Sequence, residues 1–416
     1  MEKLVINGGK KLYGEVKIQG AKNAILPLFA AAILTDDKVV INNVPDLSDV
    51  DNMIKILKNL GVKVDRYGST AVIDASNLCG YEIPNGLAKE LRSSIFLLGS
   101  VLSRCKKAKV AYPGGCDIGL RPIDIHIKAL RDLNVEVEES KGYIYCNAEN
   151  FKSTEISLDY PSVGATENAI LSSVLCKGNT VVHNAACEPE IVDLQNFLVK
   201  MGAKVTGAGT SVIKIYGVKT LHGTLYDAMP DRIAAGTYAI AVAMTGGTVL
   251  LDGARYQDMR ALLSKLSKTS CNIICNGDKI YIKSNGKPVS VPKITTQPHP
   301  GFPTDLQAPM MALQTVSDGV SIFTENIFEN RYRHVGELIK MGADIVTNGR
   351  TAVIKGVPYL TGTEVYAQDL RGGAALILAG LKAEGTTIVK DVRYVDRGYE
   401  KIEEVFRSLG AEVRRE

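Results

Sequence analysis

The sequence predicts an α/β protein of two domains, each made of three repeats of about 70 residues, with buried helices inside and sheets and further helices outside. Three observations predict it: a short phrase that recurs six times, a small-residue apolar helix upstream of each copy, and a β-branched strand between the two.

The phrase is a helix end, a turn and an alternating strand. It reads L-G-V-K-V from Leu60, L-N-V-E-V from Leu133, M-G-A-K-V from Met201, T-S-C-N-I from Thr269, M-G-A-D-I from Met341 and L-G-A-E-V from Leu409. The steps are 73, 68, 68, 72 and 68 residues, and the Thr269 copy rests on its position more than its letters. Glycine at the turn suits a helix C-cap, and the alternation after it suits a strand. The upstream helices start near Lys22, Arg92, Ser162, Asp231, Thr304 and Asp369, in steps of 70, 70, 69, 73 and 65 residues, so the two registers agree.

These first helices are apolar nearly all round, as in Ala24–Ile33, and a helix of that kind is buried on every side. The strands that follow are β-branched: Lys38–Ile41, Thr180–His183, Thr248–Leu251 and Thr387–Lys390. Second helices, such as Val50–Leu60 and Ile191–Met201, carry one charged face and belong outside. Six copies exceed what one core usually holds, so they divide three and three near Met229. Residues 1–20 have strand character and must add to a sheet. If they join the last copy, the domains are 22–229 and 1–21 with 230–416. The chain then crosses between domains twice, which makes a hinge with the active site in the cleft.

Composition narrows the function. Lys and Arg total 49 against 45 Asp and Glu, too mild an excess for a nucleic-acid partner, which calls for a concentrated basic face. The longest apolar run, Ala24–Leu34, falls well short of the roughly 20 residues of a membrane span, so no membrane is expected. The polar first ten residues do not resemble a signal peptide. Eight scattered cysteines then read as reduced thiols in a cytoplasm. Cys271 and Cys275 are the closest pair, but no histidine lies near them, so no metal is expected.

Charge at the helix starts points to a site. A helix N-terminus carries about half a positive charge and favours Asp, Glu, Ser or Thr. Ser162, Asp231, Thr304, Asp305, Asp46 and Glu188 obey. Lys22 and Arg92 open first helices and Arg371 follows Asp369 at another, while Arg121, Arg331 and Arg397 fall at the openings of second helices. Cations gathered with helix N-termini against the dipole rule point to an anion site, for phosphate or carboxylate; the alternative is a solvated face.

Cys116 lies in the loop Tyr112-Pro-Gly-Gly-Cys-Asp-Ile-Gly-Leu-Arg-Pro122, unlike the thiols in apolar runs such as Cys176. A glycine-rich loop with Arg121 nearby is a setting for a thiol of depressed pKa, acting as acid or nucleophile; the alternative is a turn residue. Asp305, in Pro300-Gly-Phe-Pro-Thr-Asp-Leu306, is the matching general-base candidate, with a plain N-cap as the alternative. No Walker-type loop and no strand-linked G-x-G-x-x-G is present, against a P-loop kinase or a dinucleotide enzyme.

Gln19-Gly-Ala-Lys-Asn-Ala24, Pro113-Gly-Gly-Cys-Asp-Ile-Gly-Leu-Arg-Pro-Ile-Asp-Ile-His126, Ser162-Val-Gly-Ala-Thr-Glu167 and Phe302-Pro-Thr-Asp-Leu-Gln307 resemble the enolpyruvyl transferases. So do Phe328-Glu-Asn-Arg331, Asp369-Leu-Arg371 and Asp396-Arg-Gly-Tyr-Glu400, so the resemblance spans all six repeats. The fold it implies is two inside-out α/β barrel domains of three repeats each. The activity it implies joins phosphoenolpyruvate to UDP-N-acetylglucosamine, releasing phosphate through a tetrahedral intermediate, with no metal and no cofactor.

By the same resemblance Cys116 donates the proton to phosphoenolpyruvate and forms an adduct with it, and Asp305 takes the sugar hydroxyl proton. Lys22 and Arg397 join them as catalytic residues. Phosphoenolpyruvate falls to Lys22, Asn23, Arg121, Arg331, Arg371 and Arg397. The UDP-sugar falls to Arg92, Arg121, Pro122, Ile123, Asp124, Ile125, His126, Ser162, Val163, Gly164, Asp305 and Ile327. Ala234 stands where relatives commonly carry Glu, and Tyr160 where some carry Lys; neither position touches Cys116, Lys22, Asp305 or Arg397. The shikimate-phosphate branch of the family lacks the cysteine loop, which sets it second. A non-catalytic UDP-sugar-binding regulator is the reading from another class, and the presence of both Cys116 and Asp305 counts against it.

Overall fold

The structure is a computed structural model, and it describes residues 2–83, 86, 92–112 and 123–416. The chain gathers into two compact units, one of residues 20–112 and 123–229, the other of residues 2–19 and 230–416. Each unit carries three four-stranded sheets.

Every sheet has the same plan. A strand from one copy lies parallel to the first strand of the next copy, and an antiparallel hairpin completes the four. In the 20–229 unit, Glu82–Ile83 passes to Lys107–Ala111, Glu155–Ser157 to Asn179–His183, and Leu225–Asp227 back to Val39–Asn42. Each copy therefore needs its neighbour to complete a sheet, which makes three copies a cooperative unit.

The other unit reaches the same end with a split copy. Lys3–Asn7 lies between Thr386–Lys390 and Glu412–Arg415, antiparallel to both. Leu12–Lys17 then runs parallel to Gly247–Asp252 of the fourth copy. The amino-terminal strands are thus the missing second half of the sixth repeat. Lys3 and Glu416 exchange both backbone hydrogen bonds, at 2.9 and 3.0 Å. That pairing matches Tyr67↔Thr70, Ser140↔Tyr143, Asn276↔Lys279 and Asn348↔Thr351, the hairpin ends of four intact copies.

The recurring turn has the same backbone in all six copies. Gly61, Gly202, Gly342 and Gly410 have φ between 91 and 97°, and Asn134 and Ser270 hold the position at 62 and 68°. The left-handed conformation that ends each helix explains both the glycines and the two exceptions, since Asn tolerates it and Ser270 adopts it. The Thr269 copy is a true repeat whose letters have drifted.

The first helices are buried as expected. Lys22–Ala32, Leu97–Cys105 and Val163–Ser173 serve one unit; Arg232–Thr245, Gln307–Gln314 and Leu370–Lys382 serve the other. Their small residues let the helices meet at the centre of each unit while sheets cover them outside. Two copies differ at the entry: 3-10 turns Arg92–Phe96 and Thr304–Leu306 precede the α-helix. The second helices, such as Ser48–Asn59 and Pro189–Lys200, bury one face only.

The caps are mixed. Ser162 accepts from the Ala165 N–H, Asp231 from Ile233 and Ala234, and Asp369 from Arg371 and Gly372. Glu188 is at the cap position without a capping bond, and Leu47, not Asp46, precedes Ser48–Asn59. Arg331 and Arg397 do not open second helices, contrary to the reading from repeat spacing. Those helices begin at Val335 and Ile402, and Arg397 ends the 3-10 turn Val392–Arg397. The second helices of these two copies are only 6 and 7 residues long, against 12 in Ser48–Asn59 and in Pro189–Lys200, so they start after the two arginines.

Candidate active site

In the unit of residues 2–19 and 230–416, three of the expected residues meet. Asp305 lies inside the turn Thr304–Leu306, where Pro303 holds the cap position and no side chain caps. Its carboxylate instead receives two guanidinium groups. Arg331 Nη2 donates to Oδ1 at 2.9 Å, and Arg371 Nη2 to Oδ2 at 3.0 Å. The N-cap alternative for Asp305 is therefore replaced by an ion-pair node, because the 3-10 turn starts at Thr304 and the helix is entered from Leu306, which leaves Asp305 at neither cap position.

Both arginines are buried and lie over aromatic rings, Arg331 over Phe328 at 5.4 Å and Arg371 over Tyr399 at 5.3 Å. Burial by itself would lower the pKa of Arg371, but Asp305, with Tyr399 and Asp231, more than offsets it and raises the value. His334, buried beside them, is pushed well below the ordinary imidazole value by burial, against the pull of Asp369 and with Arg331 adding to the fall.

Glu325 was not legible in the sequence as a site residue. It is buried, and its Oε1 accepts from the backbone of Ile327 at 2.8 Å and Phe328 at 3.1 Å. Thr304 Oγ1 donates to Oε2 at 2.9 Å. One carboxylate thus ties the Asp305 turn to the half-buried Ile327. Arg397 is held through its neighbours: Gln19 donates to Gly398 O at 3.3 Å and accepts from Glu400 N at 2.8 Å. Asp396, just before it, binds Arg415 through both oxygens, at 2.7 and 3.0 Å.

In the unit of residues 20–112 and 123–229, Lys22 is the first residue of its helix. The dipole opposes its charge there, and Asp49 Oδ2 offsets this at 2.6 Å from Nζ. Asp49 was missed because an acid in the first turn of Ser48–Asn59 looks like ordinary dipole chemistry. Asn23 follows at a half-buried position, and Pro27 removes the N–H that would pair with its carbonyl.

Ile123, Asp124, Ile125 and His126 form the entry of the helix Asp124–Asp132, with Asp124 exposed and His126 buried. Ser162, Val163 and Gly164 open the next inner helix, and the fold brings the two segments together. A Cβ on Gly164 would lie 2.9 Å from both His126 Cε1 and Phe96 Cε1, so a larger residue would push two rings aside. Cys116, Arg121 and Pro122 lie outside the described residues, as does the side chain of Arg92, whose backbone opens the turn Arg92–Phe96.

Two ordered sets of polar groups thus stand at helix entries, one with an acid held by arginines and one with a lysine held by an acid. Such sets suit an anionic substrate and proton transfer at a hydroxyl. Comparison with known proteins defines the class: residues 6–406 match the family model described as EPSP synthase (3-phosphoshikimate 1-carboxyvinyltransferase), and the chain belongs to this family of enolpyruvyl transferases. Within it, the chain is 52% identical to UDP-N-acetylglucosamine 1-carboxyvinyltransferase 2 of Caldanaerobacter subterraneus subsp. tengcongensis, over 99% of both chains. It is 46% identical to UDP-N-acetylglucosamine 1-carboxyvinyltransferase 1 of Carboxydothermus hydrogenoformans, over 100% of this chain and 98% of the relative. The crystal structure of the enolpyruvyl transferase NikO from Streptomyces tendae shares the fold, with a TM-score of 0.89 at 24% identity, covering 100% of this chain and 99% of that one.

Proposed function

We propose that this chain transfers the enolpyruvyl group of phosphoenolpyruvate to the 3'-hydroxyl of UDP-N-acetylglucosamine and releases phosphate, the first committed step of peptidoglycan synthesis. The observation that carries the reading is similarity over 99% of the chain, at 52% identity, to a protein of that name. The anion-binding character of both residue sets supports it, because the two substrates bring a carboxylate, a phosphate and a diphosphate.

Cys116 gives a proton to C3 of phosphoenolpyruvate while the sugar oxygen bonds to C2 and Asp305 takes the hydroxyl proton. The resulting tetrahedral ketal then loses a proton from C3 and expels phosphate, restoring the double bond. Lys22, Asn23, Arg121, Arg331, Arg371 and Arg397 are assigned to the phosphate and carboxylate, where fixed cations stabilise charge as it develops. Arg92, Arg121, Pro122, residues 123–126, 162–164, Asp305 and Ile327 are assigned to the UDP-sugar. A cytoplasmic setting goes with the reading, in keeping with seven described cysteines that are all free thiols. Among the described residues no helix is long and apolar enough to cross a membrane.

The test is phosphate release from phosphoenolpyruvate with UDP-N-acetylglucosamine or shikimate 3-phosphate as acceptor. Release with the UDP-sugar alone is the expected result. Release only with shikimate 3-phosphate would move the chain to the other branch, and release with neither would favour a binding protein.

A further inference from the structure

Asn168 lies on the inner helix Val163–Ser173 and is 1% exposed. Its side-chain amide makes three short contacts with two other segments. Oδ1 accepts from the Gly99 N–H at 3.0 Å, Nδ2 donates to the Ile95 carbonyl at 2.9 Å, and Nδ2 lies 2.8 Å from His126 Nδ1. Backbone polarity settles which end of the amide is which. An N–H can only donate and a carbonyl can only accept, so the oxygen must face Gly99 and the NH2 must face Ile95. The second hydrogen of that NH2 then points at His126 Nδ1, which must present a lone pair. The ring proton is therefore on Nε2. The Cε1–Nε2 edge faces the start of the Val163–Ser173 helix, since a Cβ on Gly164 would lie 2.9 Å from Cε1 and 3.2 Å from Nε2.

We propose that Asn168 is a positioning residue for the UDP-sugar site, fixing His126 as its Nε2–H tautomer and locking three segments of that site to one another. The proposal rests on the function assigned above, which gives Arg92, His126 and Ser162–Gly164 to the UDP-sugar. Those residues belong to the segment entering at Arg92–Phe96, the helix Asp124–Asp132 and the helix Val163–Ser173. A single buried amide joins all three, so the donor on His126 and the backbone at Ser162–Gly164 are presented in a fixed relation. No feature of the local sequence marks Asn168, which in a helix interior reads as an ordinary polar residue.

The test combines a spectrum and a kinetic split on the full chain. Long-range proton–nitrogen correlation on protein labelled at its five histidines, with His126 assigned by His126→Gln, should show Nε2 protonated and Nδ1 bare in the wild type. Asn168→Asp keeps the acceptor for Gly99 but cannot donate, so the proton should appear on Nδ1. The KM for UDP-N-acetylglucosamine should rise roughly tenfold, as expected for loss of a buried hydrogen bond, with the KM for phosphoenolpyruvate and kcat within about threefold. A wild-type spectrum with the proton on Nδ1 would overturn the proposal, and that measurement needs no variant to fold. An unchanged UDP-sugar KM in Asn168→Asp would also overturn it, as would equal losses for both substrates. If the wild type turns over no UDP-sugar at all, the assigned function fails instead, while the tautomer remains measurable.

Discussion

Asp305 and Arg371, 66 residues apart in the chain, meet with 3.0 Å between Oδ2 and Nη2, and Arg331 closes on the other oxygen at 2.9 Å. The carboxylate therefore holds two buried cations and is also the assigned base. Those two duties separate in Asp305→Asn. The amide retains one acceptor oxygen but turns an NH2 toward the second guanidinium and cannot take a proton. Turnover should fall at least about a hundredfold. Stability should fall by about 1–3 kcal/mol, less than for a fully buried pair because Asp305 is 25% exposed. Steady-state rates and denaturant midpoints measure the two effects; nearly full turnover would remove Asp305 as the base.

Cys116 should be the thiol that phosphoenolpyruvate or an epoxide labels. Burial pushes the thiol of Cys146 up to about 12 and raises those of Cys105, Cys187, Cys271 and Cys275. A raised pKa leaves little thiolate at neutral pH. Cys79 is exposed and is the competitor to watch. Peptide mass spectrometry after brief labelling should find the adduct at Cys116 ahead of Cys79, and equal labelling of the two would count against a catalytic thiol.

Glu167 should weaken the fold as pH rises. It is 1% exposed and neither carboxyl oxygen has a hydrogen-bond partner among the described residues. Burial, with Glu190 and Glu188 adding to it, raises its pKa well above the ordinary 4.5. The folded state thus keeps a proton that the unfolded state has released. Its contribution is fully present below about pH 4.5 and is lost progressively as pH climbs toward the raised folded value. Glu167→Gln keeps the shape and removes the titration. The variant should melt above the wild type at pH 8 and close to it at pH 4; a gap of the same size at both would show that ionisation is not the cause.

The split sixth repeat predicts a tolerated permutation. Joining Glu416 to Met1 leaves two residues between the paired Glu416 and Lys3, the loop length between Tyr67 and Thr70. Two-residue hairpin loops are the commonest kind. New ends placed between Gly9 and Lys10, in the link from Lys3–Asn7 to Leu12–Lys17, should give a chain that folds and keeps most of its turnover. Simply deleting residues 2–8 should leave the sheet without one of its two inner strands, and that chain should not fold. Thermal melting and activity of the two chains check this. A well-folded deletion would show that the strand is dispensable.

The repeat architecture was legible because it is written in local chemistry. A helix end, a left-handed turn and an alternating strand each need particular residues at close spacing, so the pattern survives even where Ser270 replaces glycine. Burial of the first helices was legible for the same reason, since an apolar surface all round has only one stable environment. Lys22, Asp305 and Arg371 stood out as charges and an acid at helix starts, Arg331 was placed at a helix start that the structure puts four residues later at Val335, and the family resemblance assigned all four chemistry. Their partners could not be read. That Asp305 binds Arg331 and Arg371 instead of capping a helix, that Glu325 ties Thr304 to Ile327, and that Asn168 faces His126 are relations between residues distant in the chain. The sequence by itself determined which elements form and which residue types are available at their ends. The tertiary structure alone decided which ends meet, because a hydrogen bond or ion pair depends on distances of about 3 Å that no sequence spacing encodes.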